Sequence, residues 1–145
     1  VVSAQGGFFQ IRFTADPVEL IFFRGGLNRW LIGLQWPDGD RHDAVLAVSE
    51  ACDNSVQHAY AGGDRGEVEV VARVMIGSDD RRMVAVVRDH GHSPTGWGDR
   101  GLGLTMVHAC MDRVQIRRAA GGTTVRMTSR PVPLLDCAAR GDVRE

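Results

Sequence analysis

The sequence predicts an α+β two-layer sandwich, a mixed, mostly antiparallel sheet with helices packed on one face. Three observations carry that reading. Between residues 17 and 34 the apolar positions Leu20, Phe23, Leu27, Trp30, Leu31 and Leu34 recur chiefly at three and four, the period of an amphipathic helix. Two Val-rich runs, 66–76 and 82–89, flank Gly77-Ser78-Asp79-Asp80 and read as a β-hairpin. The elements follow one another as β-α-α-β-β-α-β-β, an order that suits helices laid over one side of a sheet.

The first strand, residues 7–14 (GFFQIRFT), alternates so that Phe9, Ile11 and Phe13 share a side. Asp16-Pro17-Val18-Glu19 opens the first helix, with Asp16 as its cap, Pro17 in the first turn and Glu19 completing a capping-box-like pair. Gly25-Gly26 inside that helix costs about 1 kcal/mol per Gly relative to Ala and marks either a close contact or a kink. Trp36-Pro37-Asp38-Gly39 is a stop and a turn. A second helix follows over about 40–60, ended by Gly62-Gly63. After the hairpin, residues 90–101 form a Gly/Ser/Pro-rich loop and 102–112 a third helix. Strands at about 113–119 and 123–129 are joined through Ala119-Ala120-Gly121-Gly122. This divides the chain into a domain of residues 1–130 and a loosely held tail, 131–145.

A chain of 145 residues, 43% apolar and 24% charged, is large enough for one domain with a substantial core. Its net charge of −1 gives no general attraction to nucleic acid or to anionic membrane. All 17 basic residues are arginine. Without lysine, the phosphate-binding P-loop, the eukaryotic-type kinase fold and Schiff-base chemistry are excluded. Cys52, Cys110 and Cys137 lack CxxC spacing and fit reduced, mostly buried thiols. No apolar run is long enough to span a bilayer, and the expected location is the cytoplasm. The chain opens on Val1, which is compatible with a parent protein carrying further domains.

The most informative stretch is Glu50-Ala51-Cys52-Asp53-Asn54-Ser55-Val56-Gln57-His58-Ala59-Tyr60. At roughly 100° per residue, Asn54 lies about 40° and His58 about 80° around the helix from Glu50, so the three form a polar stripe. Val45, Val48, Cys52, Val56 and Ala59 gather on another face. By itself such a stripe is most simply a solvated helix face. Three downstream elements alter that reading. Asp89-His90-Gly91 ends a hydrophobic strand, Arg100-Gly101-Leu102-Gly103-Leu104 leads into a helix, and Gly122-Thr123-Thr124 begins the last strand. A buried carboxylate at a strand end can accept the amino hydrogen of adenine, and Gly91 leaves room for the base. Gly101 and Gly103 let backbone N–H groups and a helix N-terminus approach phosphates. The Thr123 hydroxyl can join Asp89 directly or through water. Asn54 can give an oxygen to Mg²⁺, and Glu50 can act on a nucleophilic hydroxyl or water.

Over about residues 7–130 these elements resemble the GHKL ATPase superfamily and its Bergerat-type fold. SEACDNSVQHAY resembles the N box of the anti-sigma factor serine/threonine kinases, DHG the first glycine box, RGLGLTMVHACMDRVQI the second with its helix, and GGTTV the final Gly-Thr element. The resemblance implies an ATP- and Mg²⁺-using bacterial regulator that sequesters a sigma factor. It also implies phosphorylation of a Ser or Thr on an anti-anti-sigma (STAS-type) antagonist, and a possible homodimer. It assigns Glu50 as general base and Asn54 as Mg²⁺ ligand. Asp89 becomes the adenine reader and Thr123 the base-side hydroxyl, with Gly91, Gly101 and Gly103 as close-approach glycines and Leu102 and Leu104 beside them. Arg100 would face a phosphate or an acidic partner, and His58 is structural or phosphate-proximal.

The sequence departs from the pattern at Ser93, where the first glycine box has a second Gly, and in the short stretch between Gly91 and Gly101. A short lid is expected to shield phosphates poorly. The alternative reading is therefore a nucleotide-responsive binding module with little or no phosphoryl transfer. A third, nucleic-acid binding through Arg81-Arg82 and Arg117-Arg118, runs against the balanced charge.

Overall fold

The computed structural model describes residues 2–59, 66–91 and 102–135. Strands β1 (Val2–Gln5) and β2 (Phe8–Thr14) precede helices α1 (Pro17–Gly33) and α2 (Asp38–Asn54), and α2 passes into a π-helical turn, Ser55–Ala59. Then come β3 (Glu67–Ile76), β4 (Asp80–Asp89), α3 (Leu102–Cys110), β5 (Arg113–Ala119), β6 (Gly122–Thr128) and β7 (Val132–Pro133). The sheet order is β1-β2-β3-β4-β6-β5, with β7 pairing β4. Every described pairing is antiparallel, so the parallel component of the expected mixed sheet is not found among them.

The alternation read from the sequence builds the core. Phe9, Ile11 and Phe13 of β2, with Val68, Val70 and Ala72 of β3, face the helices. Leu20, Phe23, Leu27, Trp30 and Leu31 of α1 are all buried against them, and Leu34 packs at the margin. Phe9 is the centre of this layer, with ring centroids 6.4 Å from Phe23 and 5.6 Å from Trp30. The Trp30 indole N–H donates to the Gly6 carbonyl at 3.0 Å, which satisfies its polar edge inside the core. Asp16 caps α1 through a side-chain bond from the Val18 N–H at 2.9 Å. Gly25-Gly26 does not interrupt the helix, and a Cβ at Gly26 would meet the Phe9 ring at 3.7 Å, an ordinary van der Waals distance, so no close contact requires glycine there.

Five elements differ from the sequence reading. The second helix ends at Asn54 and widens into the π-turn, and α3 stops at Cys110. Asp80 belongs to strand β4 rather than to the turn. The edge strand β1, built from a short segment, was not anticipated. Nor is the segment after Pro131 loose at its start: Val132 is buried and pairs with Arg81.

Arg81 explains that anchoring. Its guanidinium donates to the carbonyls of Leu34, Gln35 and Pro133 and stacks 4.7 Å from the Trp36 ring centroid. One side chain thereby ties the α1–α2 turn, where Gln35 takes φ 54°, to β7. Burial lowers the Arg81 pKa from its ordinary value. Arg82 pairs with Asp112 at 2.7 Å. The Arg81-Arg82 pair is thus engaged by the fold, which removes half of the arginine clusters that the nucleic-acid reading invoked.

Candidate functional site

The end of β4 places Asp89 on the helix side of the sheet, 3% exposed. Its carboxylate is held from three directions. Ser55 donates through its hydroxyl to Oδ2 at 2.8 Å, while the backbone N–H groups of Gly91 and Thr123 donate to Oδ1, each at 3.2 Å. An ionised carboxylate accepts at about four lone-pair positions, so three protein donors leave one for a ligand N–H. These donors fix the orientation of the carboxylate. Thr123 reaches the carboxylate through its backbone amide, and a direct bond from its hydroxyl, one of the two routes the sequence offered, is not among the described contacts.

Gly122 makes the geometry possible. It has φ +137°, and a Cβ built there would stand 1.9 Å from the Asp89 carbonyl oxygen and 2.8 Å from the His90 Cα. Strand β6 thus starts with its backbone pressed against the end of β4, which delivers the Thr123 amide to the carboxylate.

Ser55 is the residue that sequence reasoning missed. A signal for it exists: on α2 it falls three residues after Cys52 and seven after Val48, on the core stripe. A hydroxyl on the core face of a helix needs a partner. Ser55 is 1% exposed and also donates to the Ala51 carbonyl at 3.3 Å. The π-turn begins at this residue, and such widened turns recur at functional sites. Ser55→Ala is expected to lower stability by about 1–3 kcal/mol, because one donor to a buried charge is lost. Urea denaturation checks this, and an unchanged midpoint would contradict the role given to the hydroxyl.

Glu50 and Asn54 sit one turn apart on α2, both partly buried, as the stripe required. Glu50 does not touch the Asp89 cluster in any described contact. It lines a groove of about 590 Å³ between α1 and α2, with Arg24, Asn28, Arg41, His42 and Ser49 among its walls. The Ser49 hydroxyl and Arg41 Nε line this groove while buried without a hydrogen-bond partner. Gly103 and Leu102 lie in the first turn of α3, and Leu104 packs partly buried on the core. Arg100, Gly101, Ser93 and Trp97, with the whole expected lid, lie outside the described residues, as does the side chain of His58. Cys52 and Cys110 are free, and burial raises the pKa of both thiols. Among the described residues, no helix is long and apolar enough to cross a membrane.

A two-layer fold with an acidic strand end, a glycine-opened final strand and a polar-striped helix defines a nucleotide-binding class. The family model for the histidine kinase-like ATPase domain matches residues 13–129, and the chain belongs to that family. Within it, the chain is similar to serine-protein kinases named RsbW. That of Bacillus licheniformis is 34% identical, with 83% of this chain and 84% of the relative covered. That of Bacillus subtilis is 33% identical over the same shares of both chains. Among solved structures, the RsbU and RsbW domains of a Mycobacterium tuberculosis protein align with TM-score 0.71 and 29% identity over 88% of this chain. The chain spans 33% of the length of that structure, and most of the length of the Bacillus kinases.

Proposed function

We propose that this chain is an ATP-dependent protein serine/threonine kinase that also sequesters a sigma factor, with a STAS-type anti-anti-sigma protein as phosphoacceptor. The observation that carries the nucleotide half is the Asp89 carboxylate, buried, held by three donors and with one acceptor position left for an exocyclic amine. Gly91 and Gly122 bring backbone close to that carboxylate, as an adenine-sized ligand requires. The partner half rests on kinship with the serine-protein kinases named RsbW.

Asn54 would offer one amide oxygen to Mg²⁺. That fits an ion which keeps most of its waters and takes its other ligands from phosphates, rather than one caged by protein carboxylates. No group of three or more His, Cys, Asp or Glu gathers among the described residues, in keeping with such a nucleotide-borne ion. The nucleotide supplies the phosphoryl group. Glu50 accepts the proton of the attacking hydroxyl as that oxygen bonds to phosphorus and the bridging oxygen departs with ADP. The groove against Glu50 offers the acceptor segment an approach between α1 and α2. Arg24 and Arg41 on its walls suit a segment that gains negative charge in the reaction. Leu102, Gly103, Gly101 and Arg100 are assigned to the phosphate side, and a cytoplasmic location and a homodimer belong to the same reading.

Incubation with labelled ATP, Mg²⁺ and a STAS-type protein tests this; label on a Ser or Thr of the antagonist is expected. Nucleotide binding without label on the partner supports the binding-module alternative, which Ser93 favours. Asp89→Asn replaces an acceptor oxygen by an amide that repels an N–H donor. It is expected to weaken ATP at least tenfold, about 1.4 kcal/mol, and to erase the ATP-induced rise in Tm. A full rise in that variant would remove Asp89 from the site.

A further inference from the structure

The helices cover one side of the sheet and leave β4, β6 and β5 with an open face. The register writes the chemistry of that face row by row. Arg88 stands beside Thr124 and Thr124 beside Arg117; in the next row Val86, Arg126 and Gln115 align; in the next, Thr128 stands beside Arg113. Arg88, Arg113, Arg117 and Arg126 are all exposed. Arg88, Arg117 and Arg126, with Thr124, Gln115 and Val86, line a concavity of about 490 Å³. None of the four arginines takes part in an ion pair among the described residues. Elsewhere on the face Arg12 pairs with Glu69 at 2.9 Å and Arg82 with Asp112 at 2.7 Å. Arg88, Arg117 and Arg126, unpaired and spanning two strand spacings, about 10 Å, repel until a counter-charge arrives, and Arg113 stands one row beyond Arg126 on β5.

We propose that this face docks an acidic polypeptide segment with apolar side chains interspersed. Guanidinium forks match carboxylates bidentately, and Thr124 and Gln115 add neutral hydrogen-bonding groups between them. Val86, with Val71 of β3 paired opposite it, supplies a partly exposed apolar strip beside the cations, of use to a peptide and of none to a phosphate backbone. A second copy of the chain fits poorly. Outward positions of β2–β6 carry seven arginines against Glu67, Glu69 and Asp80, so two open faces would repel although the whole chain has a net charge of −1. Single-stranded nucleic acid fits poorly as well, because β4, β5 and β6 contain no aromatic residue on which a base could stack. Consecutive residues place this surface opposite the nucleotide side: Asp89 faces the helices and Arg88 faces solvent. The two sites can therefore be tested apart.

The test is fluorescence anisotropy with short labelled peptides of repeating Asp-Glu-Leu units, the neutral Asn-Gln-Leu counterpart and single-stranded oligothymidylate. The intact chain should bind the acidic peptide at least about tenfold more tightly than the neutral one, with a preference that weakens as salt rises. The R117E/R126E and R117Q/R126Q variants should lose that preference while the ATP-induced rise in Tm persists, which shows the fold intact. Equal binding of both peptides, stronger binding of oligothymidylate, or a preference that survives both variants would overturn the proposal.

Discussion

Gly122→Ala is expected to be among the most damaging single changes in this chain, lowering stability by about 3–5 kcal/mol and abolishing ATP binding together. The alanine methyl would stand 1.9 Å from the Asp89 carbonyl oxygen and 2.8 Å from both the Asp89 carbonyl carbon and the His90 Cα. All three are backbone atoms of a neighbouring strand, so no side chain can swing aside. The φ of +137° adds strain for any L-residue with a Cβ. Relief requires β6 to separate from β4 at the point where Thr123 N–H reaches Asp89. Stability and the adenine-side carboxylate would then fail together. Gly121→Ala is the control: a methyl there meets nothing within 4 Å. Urea midpoints and ATP-induced Tm shifts of both variants decide the matter. Equal behaviour of the two would refute the close-approach role of Gly122.

Glu50→Gln is expected to lower phosphoryl transfer by about 10²–10⁴-fold while leaving ATP binding near that of the parent chain. The amide keeps the size of the carboxylate but cannot take a proton from the acceptor hydroxyl. Because Glu50 lines the α1–α2 groove and makes no described contact with the Asp89 cluster, adenine recognition should not register its loss. The measurement is single-turnover transfer to the antagonist, read beside the ATP-induced Tm shift. Transfer at the parent rate would remove Glu50 as the base. Loss of the Tm shift alongside transfer would mean that Glu50 serves nucleotide binding instead.

Much of this molecule could be read before any coordinates. Phe9, Ile11 and Phe13 alternate because a half-buried strand must, and Leu20, Phe23, Leu27 and Trp30 recur at helical spacing because one face of α1 meets the sheet. Both patterns are local, and burial enforces them residue by residue. Asp89 was legible as a candidate through its place between the α2 stripe and the Gly101/Gly103 and Thr123 elements, since a strand-ending Asp-x-Gly by itself is most simply a turn. Arg81 was not legible: in sequence it stood only in the disfavoured nucleic-acid reading, whereas the fold sends it to three carbonyls and a Trp ring.

The element order and the core faces followed from the sequence alone, since each depends on neighbours within a few residues, and Glu50, Asn54 and Asp89 stood out through the order of four motifs along the chain. Only the tertiary structure decided who holds Asp89. Its donors Ser55 and Thr123 each lie 34 residues away along the chain; the pairing of β6 with β4 brings Thr123, and the packing of the helical layer on the sheet brings Ser55, within 3.2 Å. It also decided that Glu50 lines a groove between α1 and α2, and that Arg88, Arg126 and Arg117 gather on one open face. Strand pairing and helix packing set those juxtapositions, and both depend on which distant elements lie side by side, something that periodicity within each element does not encode.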